Sequence, residues 1–578
     1  MVLDLQWHRI LNAISIIFLV LLLVVVGVYH ISYFRFLTDR IIQIYFFVVF
    51  YGCCSVLVLA GTRTRFSGTI YEIRNFFPVS IIFSIFFVTI ILKFYFLDLF
   101  PVGGDEISQM IYSRDFNPIV GALKQQQPPL AYFISALSER LGGMSIHSIR
   151  GIGIVVSSFC LAYLLGLFKL LKLSSFAAVV LATVFFSQSM IFQFSIEFRP
   201  YLLGITLFLM LVHEMTTAFS KEPLSLFEYF RLFAWAVLFC LSLGFQPVVI
   251  LTSLILALWF SHRSQLTIPL VAALLVFLPI QFAINKESGQ YFSFDQIHLL
   301  AFETAAAIVF MFLARKVISK EKKGLLFVLT TSLILFLAIT HLLFFQFITY
   351  QLNLRYVCIA LSIAVLVIGL ICVSYNLKDI QTAAIALLIY VTFVFPTYVP
   401  QNHAARVDRN ESFRLLIEQF QSQQGIFIPI CNGRAGCWDY SYILQFLAPQ
   451  GYSSLDENLK NPVENALKKM KNPEKSQIIY LYVEHDAQLD LVNLPLYVKK
   501  LNSTPTSHLF KLDGSDNWNS ATQLSKELRK NKEFSVIDFM QLLIHDDFRK
   551  ESVNLLQKLQ DYTGWEYQSL RKNLELPQ

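Results

Sequence analysis

Residues 231–260 read RLFAWAVLFCLSLGFQPVVILTSLILALWF. As one helix at about 1.5 Å per residue this stretch is about 45 Å long and crosses an about 30 Å hydrocarbon core only when tilted. Broken at GFQP it makes two short helices, and every later loop changes sides of the membrane. Charge decides between the two. With two helices and a cytoplasmic N-terminus, the inner loops are GTRTRFSGTIYEIR, FKLLKLSS, SHRSQ and ARKVISKEKKG, which hold most of the loop lysines and arginines. That is the usual positive-inside bias. With one helix, the loop carrying Arg315, Lys316, Lys320, Lys322 and Lys323 faces outward. The sequence therefore predicts two helices here, a polytopic α-helical protein with about thirteen transmembrane helices, and a C-terminal region on the outer side.

The rest of the chain fits that frame. It is 56% hydrophobic and only 15% charged, with a mean hydropathy of +0.58, more apolar than a soluble fold of this length requires. Apolar runs near 11–32, 41–60, 77–100, 149–171, 175–194, 200–219, 231–244, 246–260, 266–284, 298–314, 325–347, 355–375 and 379–398 lack the alternation of barrel strands. The run from Leu11 to Tyr29 is long for a signal-peptide core and is followed by no small-residue cleavage site, so it reads as a retained anchor. The formal charge of +7 sits in short clusters between spans, which excludes a nucleic-acid face. Membrane lipids are the expected surroundings.

After Val399 the composition turns soluble. GIFIPI, QIIYLYV and HLFKL read as strands, and ESFRLLIEQFQ, VENALKKM and ATQLSKELRK as helices, which predicts a small α/β domain over 401–578. Cys431 and Cys437 flank NGRAG in this polar region and can close a disulfide outside the reducing cytoplasm. Cys53, Cys54, Cys160, Cys240, Cys358 and Cys372 lie in apolar runs and read as small buried hydrophobes.

Polar residues of chemical interest gather on the predicted outer side. Pro101 to Arg150 opens with GGDEISQMIY, where Asp105 either caps a helix carrying Glu106 in its first turn or serves as a carboxylate beside the membrane that removes one proton from an acceptor hydroxyl. In QQQPPLAYFISALSERL, Pro128 and Pro129 fix an extended lead-in to an amphipathic helix expected to lie on the membrane surface. SIEFRPY sets Glu197, Arg199 and Tyr201 at the mouth of a span, and Arg355 and Tyr356 repeat the pattern. Arg199 either pairs with Glu197 and snorkels, or clamps a lipid phosphate with its fork of donors.

This ordered set, Asp-Glu after a span, Pro-Pro-Leu opening an amphipathic helix, then Arg-Pro-Tyr and Arg-Tyr at later helix mouths, resembles the GT-C membrane glycosyltransferases. The nearest branch is the family 39-like one of protein O-mannosyltransferases and aminoarabinose transferases, over roughly residues 77–400. The resemblance implies a GT-C fold, with two extra N-terminal helices in 1–76, a catalytic membrane domain in 77–400 and an active-site loop at 101–148. It further implies a polyprenyl-phosphate sugar donor, a lipid, glycan or protein acceptor, and inversion at the sugar carbon. Asp105 inherits the base role with Glu106 beside it, and Gln127, Pro128, Arg199, Tyr201, Arg355 and Tyr356 are the expected substrate-binding residues. Gln127 stands where the family commonly has His or Lys, and a neutral amide supplies hydrogen bonds without charge. That leaves metal dependence open: Glu106 with His147 or His298 is the divalent-cation reading, against ordinary polar histidines. The short basic loops and the lack of an evident retention signal favour a bacterial cytoplasmic membrane, with the active site and C-terminal domain expected on the periplasmic side. Competing readings are a lipid-linked oligosaccharide ligase or polymerase, and a transporter or flippase.

Overall fold

The computed structural model describes residues 2–33, 40–63, 106, 109, 112–113, 118–124, 127–142, 146–219, 223–243, 246–261, 263–288, 324–347, 358–374, 377–389, 410–419, 425–430, 478–484, 498–503 and 507–512. Contacts divide the chain into two compact units, one of Met1–Asp98 with Tyr112–Tyr398, the other of Leu99–Ile111 with Val399–Gln578.

The first unit is helical: α1 Val2–Tyr33, α2 Arg40–Arg63, α3 Pro118–Lys124, α4 Leu130–Gly142, α5 Ile146–Leu170, α6 Ser175–Ser187, α7 Ser189–Phe194, α8 Pro200–Phe219, α9 Leu226–Cys240, α10 Gln246–Phe260, α11 Thr267–Ser288, α12 Gly324–Phe347, α13 Cys358–Ser374 and α14 Asp379–Ile389. Among the described residues four stretches are long and apolar enough to cross a membrane, Ile10–Gly27, Arg150–Leu170, Pro200–Phe219 and Ser264–Ile284, and shorter apolar helices accompany them. The chain is an integral membrane protein. The predicted spans at 77–100 and 298–314 lie outside the described residues.

The stretch 231–260 is two helices, α9 and α10, interrupted after Cys240 and resumed at Gln246. Helix α9 starts five residues before the apolar run, at Leu226, because Ser225 and Glu228 close a capping box: each side chain bonds the other's backbone N–H. The run 175–194 breaks at Gln188, whose side-chain oxygen accepts from the Ile191 N–H at 2.8 Å and starts α7.

Helices α5 and α8 pack side by side, with α1 against α5 and α9 against α8. Their contacts define two ends of this bundle. At one, Gly153 near the start of α5 meets Phe198 just before α8; a Cβ on Gly153 would sit 3.2 Å from the Phe198 Cα. At the other, Leu11 of α1 fills the notch at Gly166, and Gly324 at the start of α12 meets Phe219 at the end of α8.

Helix α4 departs from its expected place on the membrane surface. Residues 130–136 are all buried. The cover comes from the two N-terminal helices: Phe46 of α2 stacks on Phe133 at 5.2 Å, Phe47 meets the same ring edge-on at 5.9 Å, and α1 packs alongside. An apolar stripe marks a face to be covered, but lipid and protein cover it equally well.

In the second unit a helix at 410–419, α15, precedes four strands: β1 Gly425–Ile430, β2 Ile478–Glu484, β3 Val498–Ser503 and β4 Ser507–Leu512. Their order is β1-β2-β4-β3. Strands β1 and β2 are parallel, with Gly425 opposite Ile478, and β4 is antiparallel to both β2 and β3. Phe413 of α15 packs on Tyr482 at 5.0 Å, and Asn502 donates to Ser412 Oγ at 2.8 Å. Strand β3, VKKLNS, is polar and carries a bulge between Lys500 and Asn502. It lies at the sheet edge, where lysines and bulges discourage pairing with another chain, and so it lacks the alternation that reveals a strand from sequence. The predicted Cys431–Cys437 disulfide and the helices after 450 lie outside the described residues. Cys53, Cys54, Cys160, Cys240 and Cys372 are buried thiols outside any disulfide.

Candidate functional site

The α8 N-terminal end gathers three stretches that are far apart in sequence. The first is the Pro-Pro-Leu lead-in. Gln127 is half-buried and Pro128 buried; the Gln127 N–H donates to Ala122 O at 2.9 Å, which folds the segment back on α3. Proline carries no N–H, so Leu130 is the first donor after the pair, and it donates to Leu241 O at 3.2 Å. Leu241 follows the last residue of α9, within the break that divides residues 231–260. The second stretch, the turn between α9 and α10, is thus fixed by the start of α4.

That turn also holds the third. Leu243 lies against Gly204 in the first turns of α8 so closely that a Cβ there would stand 2.8 Å from Leu243 Cδ2. Just before α8, the segment SIEFRPY is built as a rigid elbow. Ser157 Oγ on α5 donates to Ser195 O at 3.1 Å, Glu197 N–H donates to Gln193 O at 2.8 Å, and Gln193 Nε2 donates to Glu197 Oε1 at 2.9 Å. Glu197 is 4% exposed. Tyr201 is buried and stacked on Phe194 at 4.3 Å, and the half-buried Arg199 guanidinium lies 5.9 Å from the Tyr201 ring centre. A cation over an aromatic face keeps its fork of donors directed while its stem is packed.

Gln127, Pro128, Arg199 and Tyr201 therefore belong to one end of one unit. Arg355 and Tyr356 lie outside the described residues, as does Asp105. Glu106 is described: it is buried, with Gln109, and belongs to the second unit together with the C-terminal strands. Among the described residues no three His, Cys, Asp or Glu side chains gather to hold a metal, and His298 is not among them.

Arg150 was not among the expected site residues. It is fully buried at the start of α5, one helical turn before Gly153, where α5 meets the elbow. A buried arginine inside a membrane protein is costly unless its donors are met, so an arginine opening an apolar run was a usable signal. Glu197, read only as a partner for Arg199, accepts a hydrogen bond from Gln193.

No family model matches this chain, and no curated protein matches it either. Two solved structures of ArnT are similar to this chain. The crystal structure of ArnT from Cupriavidus metallidurans bound to undecaprenyl phosphate matches at 12% identity and a TM-score of 0.44, over 75% of this chain and 97% of that one. The apo structure of the same protein matches at 10% identity and a TM-score of 0.44, over 77% and 98%. At these values the likeness names a neighbour and carries no weight for fold or chemistry.

Proposed function

We propose that this protein is a membrane glycosyltransferase of the GT-C type that moves a sugar from a polyprenyl-phosphate donor to an acceptor hydroxyl, with inversion at the sugar carbon. The observation that carries this reading is the meeting of the Gln127–Leu130 lead-in, the 195–204 elbow and the 241–243 turn at the α8 N-terminal end. An end built this way presents a directed guanidinium at the mouth of a membrane helix, where a lipid phosphate lies.

In the proposed reaction Asp105 takes the proton of the acceptor hydroxyl as its oxygen attacks the sugar carbon. The bond from that carbon to the lipid phosphate breaks, and the departing phosphate leaves with the electron pair. Arg199, with Arg355, stabilises the developing charge on that phosphate. Gln127 hydrogen-bonds the donor without adding charge, Tyr201 and Pro128 shape the wall, and Tyr356 stands beside Arg355 in the same role. The α8 N-terminal end faces the outer side. Among the described basic residues Lys169, Lys172, Arg263 and Lys378 lie toward the opposite end or in the turns that follow it, and Arg150 and Arg199 lie at the N-terminal end; the turn lysines favour a cytoplasmic placement of the opposite end.

The test supplies purified protein in lipid vesicles with a mixture of polyprenyl-phosphate sugars and candidate acceptors, and reads products by mass spectrometry. Wild-type protein yields a sugar-bearing product and free polyprenyl phosphate, and Asp105→Asn lowers the rate about 10²- to 10⁴-fold at unchanged expression. Full transfer by Asp105→Asn removes the base assignment. Lipid translocation across the vesicle without any new glycoside would instead make the protein a flippase.

A further inference from the structure

The end of α5 that supports the elbow carries a charge that the proposed reaction does not use. Arg150 is 0% exposed, one turn before Gly153 and two before Ser157. Positions spaced i, i+3 and i+7 share one face of a helix. On that face Ser157 Oγ donates to Ser195 O at 3.1 Å, and Gly153 is so close to Phe198 that an added Cβ would stand 3.2 Å from its Cα. The face therefore follows the elbow, from Ser195 beside Ser157 to Phe198 beside Gly153, and Arg150 is its next position.

The register of the two helices agrees. Tyr163 OH of α5 bonds His213 Nδ1 of α8 at 2.8 Å, in a seam whose polar groups pair with one another: Arg231 with Glu214 and Asn12, and His213 with His8. Helices α5 and α8 thus run in the same direction, and the same rise carried back along both sets Arg150 level with Pro200, the residue after Arg199. Helical side chains lean toward the N-terminus of their helix, so the Arg150 stem extends toward the elbow end and away from the seam.

The elbow closes its own amides locally: Ser195 N–H donates to Ile191 O at 2.9 Å, Ile196 N–H to Gln193 O at 3.0 Å and Glu197 N–H to Gln193 O at 2.8 Å. Those bonds fix its shape, and its place is fixed by what α5 offers it. A guanidinium carries five donors in a planar fork, a stiffer tie than an ammonium. Full burial of that charge is tolerated only with its donors met, and Arg150 is partnered.

We propose that Arg150 is a positioning residue: from the elbow-facing side of α5 it holds residues 195–201 in place, so that the Arg199 guanidinium keeps its direction toward the donor phosphate. This rests on the reading of the α8 N-terminal end as a phosphate site and names what aims it. Wholly buried, Arg150 offers no surface to substrate and acts through Arg199.

The experiment is a double-mutant cycle of Arg150→Lys and Arg199→Ala in the full-length protein in lipid vesicles, with transfer measured from the same mixture of polyprenyl-phosphate sugars. Arg150→Lys alone should slow transfer about 10²-fold, as a misplacement of about 1 Å does. In the Arg199→Ala background it should cost only about twofold or less, because the group that it aims is gone. Arg150→Met, which fills similar space without charge, should give the same pattern. Losses that multiply across the cycle overturn the proposal, since a residue acting only on packing is indifferent to Arg199. Hydrogen exchange needs no substrate and separates failure of this proposal from failure of the glycosyltransferase reading. Arg150→Lys should speed exchange of the Ser195, Ile196 and Glu197 amides about tenfold and leave residues 205–212 of α8 unchanged. Unchanged elbow amides, or equal acceleration along α5 and α8, overturn the positioning role. Selective loosening of the elbow in a protein that transfers no sugar supports the positioning role and rejects the reaction.

Discussion

The two ends of α8 solve different problems with different chemistry. At its N-terminal end the polar groups belong to turns: Ser195, Glu197 and Arg199 precede the helix, and the bonds that hold them run mainly to backbone oxygens and near neighbours. At its C-terminal end they belong to the helices themselves, and His213 and Glu214 reach partners on α1, α5 and α9 across long separations. A turn next to the membrane surface exposes a guanidinium with little desolvation. Charges within a helical seam must be matched by other buried groups. The first end is therefore suited to a ligand that arrives and leaves, and the second to permanent contacts.

That contrast can be broken or sharpened by substitution. The largest effect is expected in the seam. Glu214→Leu leaves the half-buried Arg231 without its anion and should cost about 3 kcal/mol of stability, the lower end for a broken buried pair, whereas Glu214→Leu with Arg231→Met should recover most of it; chemical denaturation measures both. Equal losses in the single and double variants would mean that the pair is solvated and the two ends are alike. Next, Arg199→Ala should slow sugar transfer about 10²-fold with little change in melting temperature, and Arg199→Lys should restore only part of the rate, because an ammonium lacks the fork. A stability loss without a rate change would make Arg199 a structural residue like those of the seam. The smallest effect tests the packing that holds the elbow: Gly153→Val, with its Cβ 3.2 Å from Phe198 Cα, should cost about 1–3 kcal/mol, read as a lower melting temperature together with weaker donor binding.

Legibility from sequence differed between the two ends. Residues 200–219 and 246–260 are helices at the bounds expected from hydropathy alone, because long apolar runs ended by Pro and polar residues leave little choice. The early start of α9 was present in the sequence as Ser225 and Glu228, a capping signal that a hydropathy count overlooks. The motif residues of the first end stand out because Pro-Pro and Arg-Pro-Tyr interrupt apolar text. In the seam, His8, Asn12, Tyr163, His213 and Glu214 are single polar letters within or beside apolar runs. Each reads alone as an ordinary interhelical polar group. The burial of α4 was equally hidden, since its stripe does not say whether lipid or Phe46 and Phe47 will cover it.

By itself the sequence determined that this chain enters the membrane as helices, that residues 231–260 break into two, and that strands of an α/β domain follow residue 399. Those features depend on local hydropathy, turn residues and charge, all of which are written within a few residues of where they act. Only the tertiary structure decided that His8 meets His213, that Leu130 bonds Leu241, and that the segment Leu99–Ile111 belongs with the C-terminal unit. Periodicity reports that a face is buried, while the partner it meets depends on the rotation and crossing of helices far apart in the chain.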